Sequence, residues 1–109
     1  MIDDSLFAKL WVEDRILHHP MSRRAVAREL ADKGVPGDLT AAALDAGYPP
    51  AHERELALRV AEARFQRLRN VDYEKRTRRT IDHLMRRGFS GSVARDVVRH
   101  LERKEGEHT

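Results

Sequence analysis

The chain has no cysteine among its 109 residues, which excludes disulfides, thiolate metal sites and thiol nucleophiles and fits a reducing compartment. No apolar run approaches the roughly 20 residues that a membrane span requires. The start, Met1-Ile-Asp-Asp-Ser, lacks the basic and apolar regions of a signal peptide. These absences predict a soluble cytoplasmic protein with no membrane partner. Glycine-rich phosphate loops and GxSxG elbows are also missing. His18 and His19 are adjacent and have no carboxylate at metalloprotease spacing, while His52, His83 and His100 stand alone. Glu13-Asp14 and Glu53 with Glu55 lie in charged helical stretches where salt bridging accounts for them. The expectation is a chain that is not an enzyme and needs no metal or cofactor.

Strand patterning is the last absence. Apolar residues return every three or four positions and seldom alternate, so the fold class is all-α. Leu30-Ala-Asp-Lys-Gly34-Val35-Pro-Gly37 and Leu84-Met-Arg-Arg-Gly88-Phe89-Ser-Gly91 repeat one pattern at an offset of 54 residues. Each reads as the end of an amphipathic helix, a glycine suited to the left-handed position after it, an apolar residue packing back, and a polar entry into the next helix. The offset also pairs Trp11 with Phe65, Arg15 with Arg69, Arg24 with Arg78, Leu39 with Val93 and Ala43 with Val97. A duplication of this length predicts an elongated or curved array of two three-helix units, residues 1–48 and 49–109, each burying apolar faces on its neighbours.

Six helices follow. The first runs from Asp3 or Asp4 to Leu17, with Leu6, Phe7, Leu10, Trp11 and Leu17 as its apolar stripe and the two aspartates at the positive end of the dipole. Ser22 caps a second, Arg23 to Lys33, and a third starts near Pro36 or Gly37. Gly47-Tyr48-Pro49-Pro50 breaks the chain, with Tyr48 expected to be exposed. The fourth, Ala51 to Arg69, points Leu56, Val60, Ala61, Phe65 and Leu68 one way. Asp72 should cap the fifth, which buries Tyr73, Thr77, Ile81 and Leu84 and extends to Arg87. Ser90 caps the sixth, whose tail, Glu105 to Thr109, should fray. Trp11 and Phe65 sit on apolar stripes and read as core rather than as stacking platforms for bases.

Charge is divided unevenly. Residues 1–63 hold 8 Lys/Arg against 11 Asp/Glu, a net of −3, and residues 64–109 hold 13 against 7, a net of +6. Clustered positive charge attracts polyanions or acidic protein surfaces, although solvated helix faces carry such charge too. Lys75, Arg76, Arg78, Arg79, Arg86 and Arg87, with Arg23, Arg24 and Lys33 at the other unit, are the candidate contacts. Lys33 and Arg87 stand at equivalent helix ends, as Arg24 and Arg78 stand within equivalent helices, so the cations recur at a regular spacing.

The ordered blocks Asp3-Asp4-x-x-Phe7-Ala8-x-x-Trp11-Val12, Glu29-Leu30-x-x-Lys33-Gly34-Val35 and Leu84-x-Arg86-Arg87-Gly88-Phe89-Ser90 resemble the RecX family of bacterial regulators of the RecA recombinase. The resemblance covers roughly residues 3–101 and implies tandem three-helix repeats. It further implies binding to the RecA filament on single-stranded DNA, contacting the strand without reading its sequence, with inhibition of strand exchange, ATP hydrolysis and co-protease function. The family usually carries three repeats, and the Asp-Asp block opens the middle one, so the chain is expected to hold the second and third, as a monomer.

The alternative is a helix-turn-helix reader of duplex DNA acting without RecA, since 22–46 and 72–101 both have that outline. Its first recognition helix would present Asp38 and Asp45 and no Arg, Lys, Asn or Gln, while the second offers Arg95 and Arg99.

Overall fold

A computed structural model describes residues 3–107 and contains six helices: α1 Asp4–His18, α2 Arg23–Asp32, α3 Gly37–Gly47, α4 Ala51–Arg67, α5 Tyr73–Arg86 and α6 Gly91–Gly106. No strand occurs among the described residues. The expected start at Met1 and end at Thr109 lie outside them.

The helix ends follow local chemistry. Asp3 Oδ1 accepts from the Leu6 amide, Ser22 Oγ from Ala25 and Ser90 Oγ from Val93, each satisfying an amide that the first turn leaves unpaired. Asp72 precedes α5 as expected, but its carboxylate makes no capping bond. Gly34 and Gly88 end their helices at φ +84° and +92°. In each case the following apolar residue donates its amide back to the leucine of the last turn, Val35 to Leu30 at 3.0 Å and Phe89 to Leu84 at 3.1 Å.

The six helices form two bundles in an array measuring 57 × 21 × 21 Å. α1, α2 and α3 enclose Ala8, Val12, Val26, Leu30 and Leu44, and α4, α5 and α6 enclose Ala61, Phe65, Leu84, Val97 and Val98. Leu56, placed by the sequence with the second unit's apolar face, instead joins the first core. Being near the start of α4, it reaches back across the junction.

Several expected faces turn. Leu6, Leu10 and Leu17 are exposed, and α1 buries Ala8 and Val12, whose small side chains allow α1 to lie close to α3. Tyr48 is buried rather than exposed, and its hydroxyl donates to the Met21 carbonyl at 2.9 Å. Burial, reinforced by the Glu53 charge, raises its pKa above the ordinary tyrosine value. Tyr73 is exposed, and Thr80 takes the buried place on α5 beside Leu84. The tail does not fray at Glu105, since α6 continues to Gly106 and Glu105 is ion-paired.

Hydrogen bonds involving backbone and side-chain groups weld the units. The Ser22 amide donates to the Arg87 carbonyl at 2.9 Å, Arg87 Nη1 to the Pro20 carbonyl at 3.1 Å, and the Arg23 amide to Glu53 Oε1 at 3.0 Å.

Candidate functional site

The outer face of α5 is cationic because its Lys and Arg residues return at helical spacing. Lys75, Arg78, Arg79 and Arg86 are all exposed, and among the described residues none of them has an acidic partner within salt-bridge distance. Asp82 shares that face. The opposite face holds Thr80 and Leu84 against the core, so the two sides of one helix separate packing from charge.

Arg76 does not belong to this ridge. It is only 5% exposed, and its guanidinium lies over the Phe65 ring at 3.5 Å from the centroid. Its Nε donates to the Phe65 carbonyl at 2.8 Å, and its Nη1 reaches both Glu105 oxygens at 2.9 and 3.1 Å. One step along a helix turns a side chain by about 100°, so Arg76 faces inward while its neighbours Lys75 and Arg78 face water. It ties the end of α4 to α6 and is a structural cation.

Arg23 is a structural residue as well. Its Nε donates to the Tyr48 carbonyl at 2.6 Å and its Nη2 meets Asp45 at 3.1 Å, holding the start of α2 against the end of α3. Arg24 is exposed and leans toward the Gly88 carbonyl at 3.4 Å. Lys33 is exposed, with Nζ 4.9 Å from the centre of the Trp11 ring. Arg86 is exposed beside Arg87, which is half-buried at the junction. The nine proposed cations therefore separate into a ridge on α5, two junction residues (Arg24 and Arg87), the outlying Lys33, and two structural ties.

Trp11 sits at the edge of the first core rather than inside it. Its ring packs on Phe7 at 5.6 Å, and the Arg15 guanidinium lies 4.4 Å from the centre of the indole. Glu29 Oε1 accepts from Trp11 Nε1 at 3.0 Å and from Arg15 Nε at 2.9 Å. Burial pushes the Glu29 carboxyl upward, but these two bonds and the Arg15 charge outweigh it and hold the group below its ordinary value. The first unit thus neutralises its own cation. Phe65, at the equivalent place, is buried.

The sequence reading missed Arg59, Arg64 and Arg67, which share one face of α4 beside His83 and Arg87. The repeat carried a signal for them: the positions equivalent to Glu29 and Asp32 are His83 and Arg86, so the second unit lacks the first unit's acids. Among the described residues no group of His, Asp and Glu could hold a metal, and no helix is long and apolar enough to cross a membrane.

Comparison with known proteins gives consistent matches. The second three-helix domain of RecX matches residues 3–44, and the third three-helix domain matches residues 52–98. The chain is 38% identical over 106 residues to the regulatory protein RecX of Thermobifida fusca, spanning 97% of this chain and 57% of that protein. It is 38% identical over 109 residues to the regulatory protein RecX of Streptomyces coelicolor, covering all of this chain and again 57% of the relative. The chain therefore spans somewhat over half the length of these curated relatives. A crystal structure of RecX from Lactobacillus salivarius superposes with a TM-score of 0.73 at 20% identity, over 93% of this chain and 65% of that one. The latter likeness concerns the fold.

Proposed function

The chain belongs to the RecX family of regulatory proteins, and from that premise we propose that it binds the RecA filament on single-stranded DNA and inhibits the recombinase, its ATP hydrolysis and its co-protease function. The observation that carries the reading is the α5 ridge of Lys75, Arg78, Arg79 and Arg86, exposed and without acidic partners among the described residues. An unneutralised ridge on a rigid helix offers charge to phosphates or acidic side chains without first breaking an internal pair. On this reading the chain acts in the cytoplasm as a monomer of two three-helix units, 1–48 and 49–109, with no catalysis of its own. Its 57 Å length suits contact along a filament surface.

The test is RecA ATP hydrolysis on single-stranded DNA, titrated with the chain and with Arg78→Ala/Arg79→Ala. Inhibition by the wild type, with a weaker effect of the double variant, is expected. No inhibition at any concentration would remove the regulator reading for this chain, and equal inhibition by the variant would remove the ridge from the contact. Arg76 is left intact because its loss would damage the fold.

The helix-turn-helix alternative keeps one supporting observation, the exposure of Arg95 and Arg99 on α6. Sequence-selective duplex binding without RecA, measured across a panel of duplexes at two salt concentrations, would favour it.

A further inference from the structure

The junction between the units opens a cleft of about 370 Å³ whose lining includes four guanidiniums, Arg59, Arg64 and Arg67 from α4 and Arg87 from the end of α5, and no carboxylate. Arg64 and Arg67, three residues apart, are neighbours on the surface of α4, and Arg59 lines the same cleft from nearer the start of the helix. Arg64 Nε is buried and has no hydrogen-bond partner. A desolvated donor on a cation is costly to leave unmade, so the cleft is arranged as though one acceptor were still to come.

The duplication sharpens the point. In the first unit the equivalents of His83 and Arg87 are Glu29 and Lys33, which line a depression together with Trp11 and Arg15. There Glu29 accepts from Arg15 and Trp11 and cancels the local charge. In the second unit that carboxylate is replaced by an imidazole. Burial, and then the charges of Arg64, Arg87, Arg86 and Arg67, push the His83 pKa down to about 4. His83 is therefore neutral at pH 7 and adds no further charge to the cleft. Every strong charge facing it from α4 and α5 is positive, and the α1 side contributes Leu17.

We propose that this cleft is a phosphate site for single-stranded nucleic acid, in which backbone phosphates seat on Arg59, Arg64, Arg67 and Arg87 and the sugars lie against Leu17 and Val60. A single acidic side chain would balance one guanidinium of the four, whereas a strand brings a charge with every nucleotide. The apolar wall adds contact area that a free oxyanion would leave unused. The volume lies at the small end of ligand sites, which run from roughly 300 to 1,000 Å³, and accommodates a nucleotide-sized segment rather than a duplex. The inference extends the reading of a partner that carries single-stranded DNA, and it can be tested without RecA.

The experiment measures binding of a fluorescently labelled oligothymidylate to the chain by anisotropy over a range of salt. Arg64→Gln/Arg67→Gln is compared with Lys9→Gln/Arg28→Gln, which removes the same charge from exposed positions of the first unit. The cleft variant should bind about tenfold more weakly at low salt, and its slope of log affinity against log salt should fall by about 1.4, with each phosphate contact on a single strand worth about 0.7. The control should keep both the affinity and the slope. Equal losses in the two variants, no loss in either, or displacement of the strand by polyglutamate at equal charge concentration would overturn the proposal. Should the cleft variant fail to fold, the wild type decides. The NMR titration midpoint of His83, expected at about 4 in the free chain from its burial among the arginines, should rise on adding the oligonucleotide, and an unchanged midpoint would refute seating in the cleft. Failure here with intact RecA inhibition separates this site from the regulator reading.

Discussion

Replacing either twin glycine with alanine should separate conformational cost from steric cost. Gly34 and Gly88 have nearly the same backbone, φ +84° and +92°, so both substitutions force an L residue into the left-handed region at about 1–2 kcal/mol. The reduced freedom of the unfolded chain returns about 0.4–1 kcal/mol of that. A Cβ on Gly34 meets nothing within 4 Å, so Gly34→Ala should cost about 1 kcal/mol in all. A Cβ on Gly88 would stand 2.5 Å from Ser22 Oγ and 2.8 Å from Ala25 Cβ. Ser22 must then retreat, and it holds two bonds at once: its Oγ accepts from Ala25, and its amide donates to the Arg87 carbonyl. Losing these at about 1 kcal/mol each, with overpacking of about 1–3 kcal/mol and the same conformational cost of about 1 kcal/mol as at Gly34, brings Gly88→Ala to about 4–6 kcal/mol. Urea unfolding followed by far-UV circular dichroism measures both, with the slope as a check that the unfolded states match. Adding Ser22→Gly should recover part of the loss for Gly88→Ala and none for Gly34→Ala. Equal destabilisation by the two alanines would refute the claim that Gly88 is held by the neighbouring unit.

Arg76→Met should destabilise the chain by about 3 kcal/mol, the low end for breaking a buried ion pair because Glu105 is half exposed, whereas Arg78→Ala and Arg79→Ala should stay within about 0.5 kcal/mol in the same urea titration. Stability should fall with acidification from the ordinary histidine range toward pH 4. His83 has a folded pKa of about 4, below its unfolded value, so the unfolded state takes up protons first and the contribution present at neutral pH is lost in that window. His19, lowered chiefly by burial and then by Arg87 and Arg15, acts with the same sign. The His83→Gln difference curve of urea midpoint against pH isolates His83, and a flat difference between pH 7 and 4 would contradict its placement among the arginines.

The all-α class, the six helices, both Ser caps and the twin left-handed glycines were legible because each rests on interactions within a few residues. Where the reading failed, a second element decided. Leu6, Leu10 and Leu17 have helical spacing, yet close packing of α1 on α3 selects the smaller Ala8 and Val12. Tyr48 lies in a Gly-Pro turn that normally faces water, and it is buried because its hydroxyl finds the Met21 carbonyl. Arg76 looked like one more member of a cationic run. Only the approach of Phe65 and Glu105, 11 and 29 residues away, turns it into a tie. Periodicity identifies the side of a helix, but a polar partner from elsewhere in the chain can make a cation part of the core.

The duplication explains how one scaffold carries two electrostatic characters. At the first unit's groove Glu29 closes the circuit of Arg15 and Trp11, and its tyrosine, Tyr48, accompanies Arg23 in binding the end of α3 to α2. The second unit spends Arg76 internally and leaves the remaining cations of α5 outward. With about 100° per residue, Lys75, Arg79 and Arg86 fall within one narrow stripe, while His83 and Arg87 lie on the adjoining face, turned toward the junction. If the ridge contacts the filament and the cleft holds a strand, the two sites adjoin along α5, which carries the ridge on one face and His83 on the face turned to the α4 arginines of the cleft. Substitutions in them should then couple rather than add, because one bound strand would align both. A double-mutant cycle in RecA ATP hydrolysis, crossing Arg78→Ala/Arg79→Ala with Arg64→Gln/Arg67→Gln, measures that coupling. Strict additivity would mean that ridge and cleft serve separate partners.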